Sequence, residues 1–290
     1  MLSFMTDPEK LHAMKLAIAL LVYEVIFQLV GTILTMQKAP LLHEEGFALL
    51  VSGFLALFIT LRILGIHRTY SSYDHLTILK YLCFLLMVYG LQAFSTLLIN
   101  PVADFLKSNG YSLEHATEIA SGNVTGFWLL LYSVLGAPLI EELAFRGIIF
   151  GSVRRYGRIF AILISALLFG LMHLNIVQFT AAFLIGILFG YIRDTYGLPA
   201  AVLMHISNNT LAIISNNYGS KSAALENFFF AFILCGMASV IVFLISSRSE
   251  IHAAFQAEKN LGRHLRNFFT TPAVILLIAL FLFLTTLNLS

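Results

Sequence analysis

The sequence predicts an all-α fold, a polytopic transmembrane helical bundle of about eight to nine membrane helices. Three observations carry that prediction. Of the 290 residues, 59% are hydrophobic and only 11% are charged, against about 25% charged in a soluble domain. Mean hydropathy is +0.89. The apolar residues gather in runs near the roughly 17–25 residues that cross a bilayer as a helix. The net charge of +2 is too small to point to nucleic acid, so the expected partner surface is the lipid bilayer.

Apolar runs lie near residues 15–36, 47–66, 78–99, 127–150, 159–174, 177–192, 198–215, 227–247 and 271–289. The first is longer than a signal-peptide core and no small-residue cleavage site follows it, so it reads as a retained span. Glu24 and Gln28 share one of its faces and read as an interhelical hydrogen-bonding pair, or otherwise as cavity lining. Cys83 and Cys235 fall inside spans and read as small buried hydrophobes, not as a disulfide or metal pair. The polar stretch 101–126 holds a predicted short helix over 112–120. The runs 159–174 and 177–192 are short and separated only by Leu174-Asn175-Ile176. They read as a hairpin that crosses incompletely, with Asn175 as its cap. Residues 248–270 read as a basic amphipathic helix on the membrane surface, or as a solvated connector.

Orientation follows the basic residues of the short loops. Lys10, Lys15, Arg62, Arg68, Lys80, Arg154, Arg155, Arg158, Arg248, Lys259, Arg263 and Arg266 fall on one side if every span crosses. That side is expected to be cytoplasmic, with the N-terminus. A chain this compact is expected in a bacterial plasma membrane. Arg193-Asp194 reads as an interfacial ion pair. His12, His43, His67, His75, His115, His252 and His264 read as solvated. The chain divides into N-terminal membrane helices (1–126), a central core (127–215) and C-terminal helices with a basic loop (216–290).

The central core holds what the rest of the composition avoids. Pro138-Leu139-Ile140-Glu141-Glu142-Leu143-Ala144-Phe145-Arg146 sits in an apolar run, where each charge costs about 2.5–3.5 kcal/mol on insertion scales. Glu142 and Arg146 are spaced i,i+4 with the acid first, the better order for a helical pair. Glu141 points about 100° away from Glu142 and is left to act elsewhere. His173 ends Phe169-Gly170-Leu171-Met172-His173. His205 and Asn209 share a helix face at i,i+4, while Ser207 turns away from it. Polar groups in a membrane bundle turn inward, so Glu141, Glu142, Arg146, His173, His205 and Asn209 can meet in one cavity. By residue count Glu141 and His205 share a depth, and His173 lies deeper by roughly 8–10 Å. A tilted or partly inserted fifth helix would bring it level.

Such a set suits hydrolysis inside a membrane, which needs a base, a group to hold the water and donors for an oxyanion. Glu141 and His173 fill the first two roles; His205 and Asn209 fill the third. A zinc reading stays open, because Glu141, His173 and His205 have the ligand types of a catalytic site with a free position. The His-Glu-x-x-His pattern is absent. Two other classes fit less well. A non-catalytic bacteriocin-immunity or interaction protein could use the same bundle as a platform. A proton-coupled transporter would show repeated halves, and no repeat is found.

Glu141-Glu142-x-x-x-Arg146, Phe169-x-x-x-His173 and His205-x-x-x-Asn209, in this order and in separate spans, resemble the three motifs of the CPBP family. These are the Abi, CAAX-protease and bacteriocin-processing intramembrane endopeptidases. The resemblance covers roughly 127–215. It implies that Glu141 is the catalytic glutamate and His173 its water-binding partner. It implies that His205 and Asn209 stabilise the oxyanion, with Glu142 and Arg146 as the supporting shell. It further implies an endopeptidase acting on a peptide or membrane-anchored protein, with zinc or a metal-free glutamate mechanism as its chemistry. It transfers no particular substrate.

Overall fold

The computed structural model describes residues 7–65, 72–120, 124–287 and 289; His67 and Arg68 lie outside them. These residues form helices and no strand. Helix α1 is Pro8–Thr35, α2 Glu45–Leu64, α3 Ile78–Ser108 and the short α4 Glu114–Ala120. Helix α5 runs Phe127–Tyr156, α6 Arg158–Leu171, α7 Ile176–Tyr196 and α8 Leu198–Tyr218. Helix α9 is Ala223–Ser246, α10 Arg248–Ala257, α11 Leu261–Phe269 and α12 Pro272–Thr286. Seven of them (α1, α2, α3, α5, α7, α8 and α9) are long and apolar enough to cross a membrane. The bent pair α11–α12, broken by 69°, makes up to eight.

Local chemistry fixes the helix ends. Asp7 accepts from the Glu9 N–H at 2.9 Å and Pro8 opens α1, the usual acidic cap followed by a residue with no N–H to satisfy. Ser112 accepts from Glu114 N–H at 3.0 Å at the start of α4. Asn175 accepts from Val177 and Gln178 at 2.9 and 3.3 Å, the cap expected of it. The start of α6 is capped from far away: Glu258 accepts from Ile159 and Phe160 N–H groups at 2.6 and 3.3 Å. Gly157 precedes them at φ +139°, and a Cβ there would strike the Glu258 carboxylate, so only glycine admits this cap.

The hairpin α6–α7 is asymmetric. Helix α7 has 21 residues, enough to cross, whereas α6 has 14, or about 21 Å at 1.5 Å per residue. Its tip is covered by α4, where Asn175 Nδ2 donates to the Ala116 carbonyl at 2.7 Å. At the other end Asp194 of α7 pairs with Arg154 and Arg158, each at 2.7 Å. Glu9 meets His264 at 2.6 Å and Asn267 at 3.0 Å, and Asp74 N–H donates to Thr195 O at 2.9 Å. The described basic segments around Lys10, Arg154–Arg158 and Lys259–Arg266 therefore gather at one end of the bundle. His264 is not solvated as expected; it is buried against Tyr156 and Phe160. Cys83 and Cys235 also correct the reading, since both face outward among apolar side chains.

One core threads all three sequence segments. Leu16 and Leu20 of α1 pack with Phe145 and Phe150 of α5, Phe160 and Leu168 of α6, and Leu277 and Phe281 of α12. A second core joins α3, α7, α8 and α9 through Val88, Phe189, Met204 and Val240. Helix α5 packs in the first core and α7 mainly in the second, and Arg146 of α5 reaches across to the Gly186 carbonyl of α7.

Candidate active site

Helix α5 is not a regular α-helix. Tyr132–Gly136 and Leu143–Ile149 are wound as π-helix, on either side of an α-helical turn Ala137–Glu142. Each π segment widens the ladder by one residue, a feature common at functional sites. Glu141 and Glu142 end the turn between them.

Glu142 and Arg146 are both fully buried, with Arg146 NH1 3.1 Å from Glu142 Oε1. Arg146 NH2 also donates to the Gly186 carbonyl of α7 at 3.3 Å. Its guanidinium lies over the Phe169 ring at 4.2 Å, a favourable cation–π geometry in a desolvated place. Glu142 Oε2 and Arg146 Nε find no hydrogen-bond partner among the described residues. Breaking such a pair exposes far more cost than forming it returns.

From α8, His205 Nδ1 lies 3.0 Å from the same Glu142 Oε1, and its Nε2 lies 3.7 Å from Glu141 Oε2. One imidazole thus bridges the two glutamates. The rings of Phe169 and Phe189 hold it at 5.9 and 5.2 Å between centroids. His173 Nδ1 is 2.9 Å from the Phe169 carbonyl. A carbonyl only accepts, so Nδ1 carries the proton and Nε2 of the neutral ring keeps its lone pair.

Glu141 and His173 line one cavity of about 90 Å³, with Tyr132, Phe169 and Met172 around them. A water needs on the order of 10–15 Å³ by the same measure, so several fit. The far wall comes from α1: Tyr23, Glu24, Phe27 and Gln28. Glu24 and Gln28 bond each other at 2.8 Å within α1 rather than across helices, and the cavity-lining reading is the one realised. The depth mismatch expected for His173 is absent. Helix α5 continues to Tyr156, so Glu141 lies about fifteen residues from its end, as His173 does from the start of α6.

Asn209 stands one turn beyond His205 and does not line this cavity. Its Nδ2 donates to the Ser133 carbonyl at 2.9 Å, while its Oδ1 accepts from Asn208 at 3.1 Å. Gln92 of α3 in turn donates to Asn208 at 2.9 Å. Ser207 faces elsewhere, 2.5 Å from the Tyr81 hydroxyl.

The zinc set fits poorly. Among the described residues no three His, Cys, Asp or Glu side chains are grouped to hold a metal ion. His205 spends Nδ1 on Glu142, and His173 spends Nδ1 on the Phe169 carbonyl.

Residues 123–211 match the family model described as type II CAAX prenyl endopeptidase Rce1-like. All six motif residues lie inside that segment. Over that segment, about a third of the chain, the protein is of the CPBP/CAAX-protease family. At this level it is a hydrolase, a CAAX-type intramembrane protease, and a multi-pass membrane protein. The family match favours an enzyme over the platform and transporter readings. No curated protein and no solved structure matches the chain significantly.

Sequence reasoning missed several members of the site. Tyr23 and Tyr132 carried no signal beyond apolar spacing. Gly186 offers only a carbonyl, and Ser133 and Gln92 become meaningful only through Asn208 and Asn209. Phe169 stood in a quoted motif, yet its part as the platform under Arg146 and both histidines needed coordinates.

Proposed function

We propose that this protease hydrolyses a peptide bond of a membrane-associated peptide or membrane-anchored protein with water activated by Glu141. The observation that carries the reading is the cavity shared by Glu141 and His173. Its floor provides a carboxylate that can take a proton and an imidazole Nε2 that can accept a second hydrogen bond from the same water. Glu141 removes a proton as the water oxygen attacks the carbonyl carbon. The C–N bond then breaks, and Glu141 returns that proton to the leaving amine. His205 turns Nε2 toward Glu141; with Nδ1 donating to Glu142, the ring serves as oxyanion donor through Nε2 in its doubly protonated form. Glu142 and Arg146 hold His205 and the α5 backbone in place. The basic end of the bundle is the cytoplasmic one in this reading.

The test is cleavage by purified protein of a panel of small and membrane-anchored peptides. Glu141→Gln keeps the shape of the side chain and removes the base. It should lower kcat by about 10²–10⁴-fold, and His173→Ala should do likewise, while a chelator leaves the wild type unchanged. Cleavage by Glu141→Gln at the wild-type rate overturns the assignment. Chelator-sensitive cleavage, restored by zinc, would replace the metal-free route.

A further inference from the structure

A peptide bond is open to attack only where its carbonyl is free of helical hydrogen bonds, so the stretch of substrate beside Glu141 is extended. At membrane depth the backbone N–H groups freed in this way need acceptors from the protein, because no bulk water serves them. Glu141 and His173 stand on one side of the cavity, and the far wall is α1, which presents Tyr23, Glu24, Phe27 and Gln28. Glu24 is buried, with 8% of its surface exposed. Its Oε1 accepts from Gln28 Nε2 at 2.8 Å. That leaves Glu24 Oε2 and Gln28 Oε1 as acceptors for a group in the cavity. Among the described residues that line the cavity there is no lysine or arginine to take up Glu24. Gln28 is exposed, so the pair leads from the mouth of the cavity to its interior.

The spacing of the two acceptors matches an extended peptide. Residues i and i+4 of a helix are separated by about 6 Å along its axis. In an extended chain the N–H groups of alternate residues point to the same edge, about 6.4–6.8 Å apart. We propose that Glu24 and Gln28 are substrate-binding residues, which accept from the N–H groups of two alternate residues of an extended substrate, Glu24 serving the one nearer the bond cleaved. The assignment rests on the hydrolytic reading above. It places substrate binding on a helix outside the matched segment 123–211, while that segment supplies the chemistry. Both bonds fall on the main chain, so this edge grips a peptide without reading its side chains.

The test is a double-mutant cycle between protein and substrate. The membrane-anchored peptide that the wild type cleaves fastest is remade with an ester in place of each amide in turn, the scissile one excepted, which removes one N–H at a time. Each peptide is given to wild type, Glu24→Leu and Gln28→Leu. In wild type one ester should lower kcat/KM by about 10–100-fold, the scale of a bond to a charged group, and a second, two residues away, by about 2–10-fold. The first loss should shrink below about twofold in Glu24→Leu, and the second should do so in Gln28→Leu. Glu24→Gln, which keeps an oxygen acceptor, should retain more activity than Glu24→Leu. Gln28 is exposed, so its arm of the cycle stands even where Glu24→Leu fails to fold. Ester losses that are equal in an active wild type and its variants, or coupled positions that are not two residues apart, overturn this proposal alone. If the wild type cleaves no peptide of the panel, the hydrolytic reading fails and this proposal fails with it.

Discussion

At the scale of residues, the site rests on one oxygen. Glu142 Oε1 meets both Arg146 and His205, at 3.1 and 3.0 Å, and all three side chains are buried. The i,i+4 pair was legible because helix geometry alone brings Glu142 beside Arg146. The link to His205 was not, since it crosses 63 residues of chain. Arg146→Ala leaves a carboxylate buried without its cation and should destabilise the protein by about 3–5 kcal/mol. Chemical unfolding in mixed micelles measures this. Adding Glu142→Gln to the same chain should recover much of the loss. A loss below about 1 kcal/mol would mean that Glu142 is neutral in the folded protein.

At the scale of elements, the π segments of α5 and the shortness of α6 are the informative departures from regular helices. Neither winding of α5 has a sequence signature beyond Pro138, because a π turn arises from competition with neighbouring helices. The helix also outruns its apolar stretch: Asp194 neutralises Arg154, so basic residues read as a loop are helical. Helices α3 and α9 meet backbone to backbone at Gly90 and Gly236. A Cβ on Gly90 would overlap the Gly236 carbonyl carbon, and one on Gly236 would overlap the Leu86 carbonyl oxygen. Small residues allow such approach in membranes. Gly90→Ala should therefore lower stability by about 1–3 kcal/mol through overpacking. It should also reduce activity, because α3 carries Gln92. Gly262→Ala, with nothing within 4 Å, should be neutral or slightly stabilising. Equal thermal midpoints for the two variants would refute the close contact.

At the scale of the molecule, the motif-bearing segment does not make its cavity alone. Tyr23, Glu24 and Gln28 from α1 close it, and the first core includes α12. The outer surface is apolar, with side chains such as Leu79 and Phe230 exposed by 72% and 62%, as lipid contact requires. The basic end is expected in the cytoplasm. In a chain with Cys83 and Cys235 replaced by alanine, Lys259→Cys should react with a membrane-impermeant maleimide only from the cytoplasmic side. Ser112→Cys should react only from the opposite side. The reverse pattern would invert the topology.

The sequence by itself determined the class of fold, the spans to within a few residues at most ends, and the family motifs that nominate six polar residues as the candidate site. Hydrophobicity and helical spacing are local properties, and three short motifs in order are specific. Only the tertiary structure decided what those residues do to one another. It tied Glu142 to His205, turned Asn209 to Ser133, brought α1 to the cavity wall and buried His264 against Glu9. Each of these depends on distances between helices far apart in the chain. Such distances are set by how side chains of different sizes pack, and no local pattern encodes them.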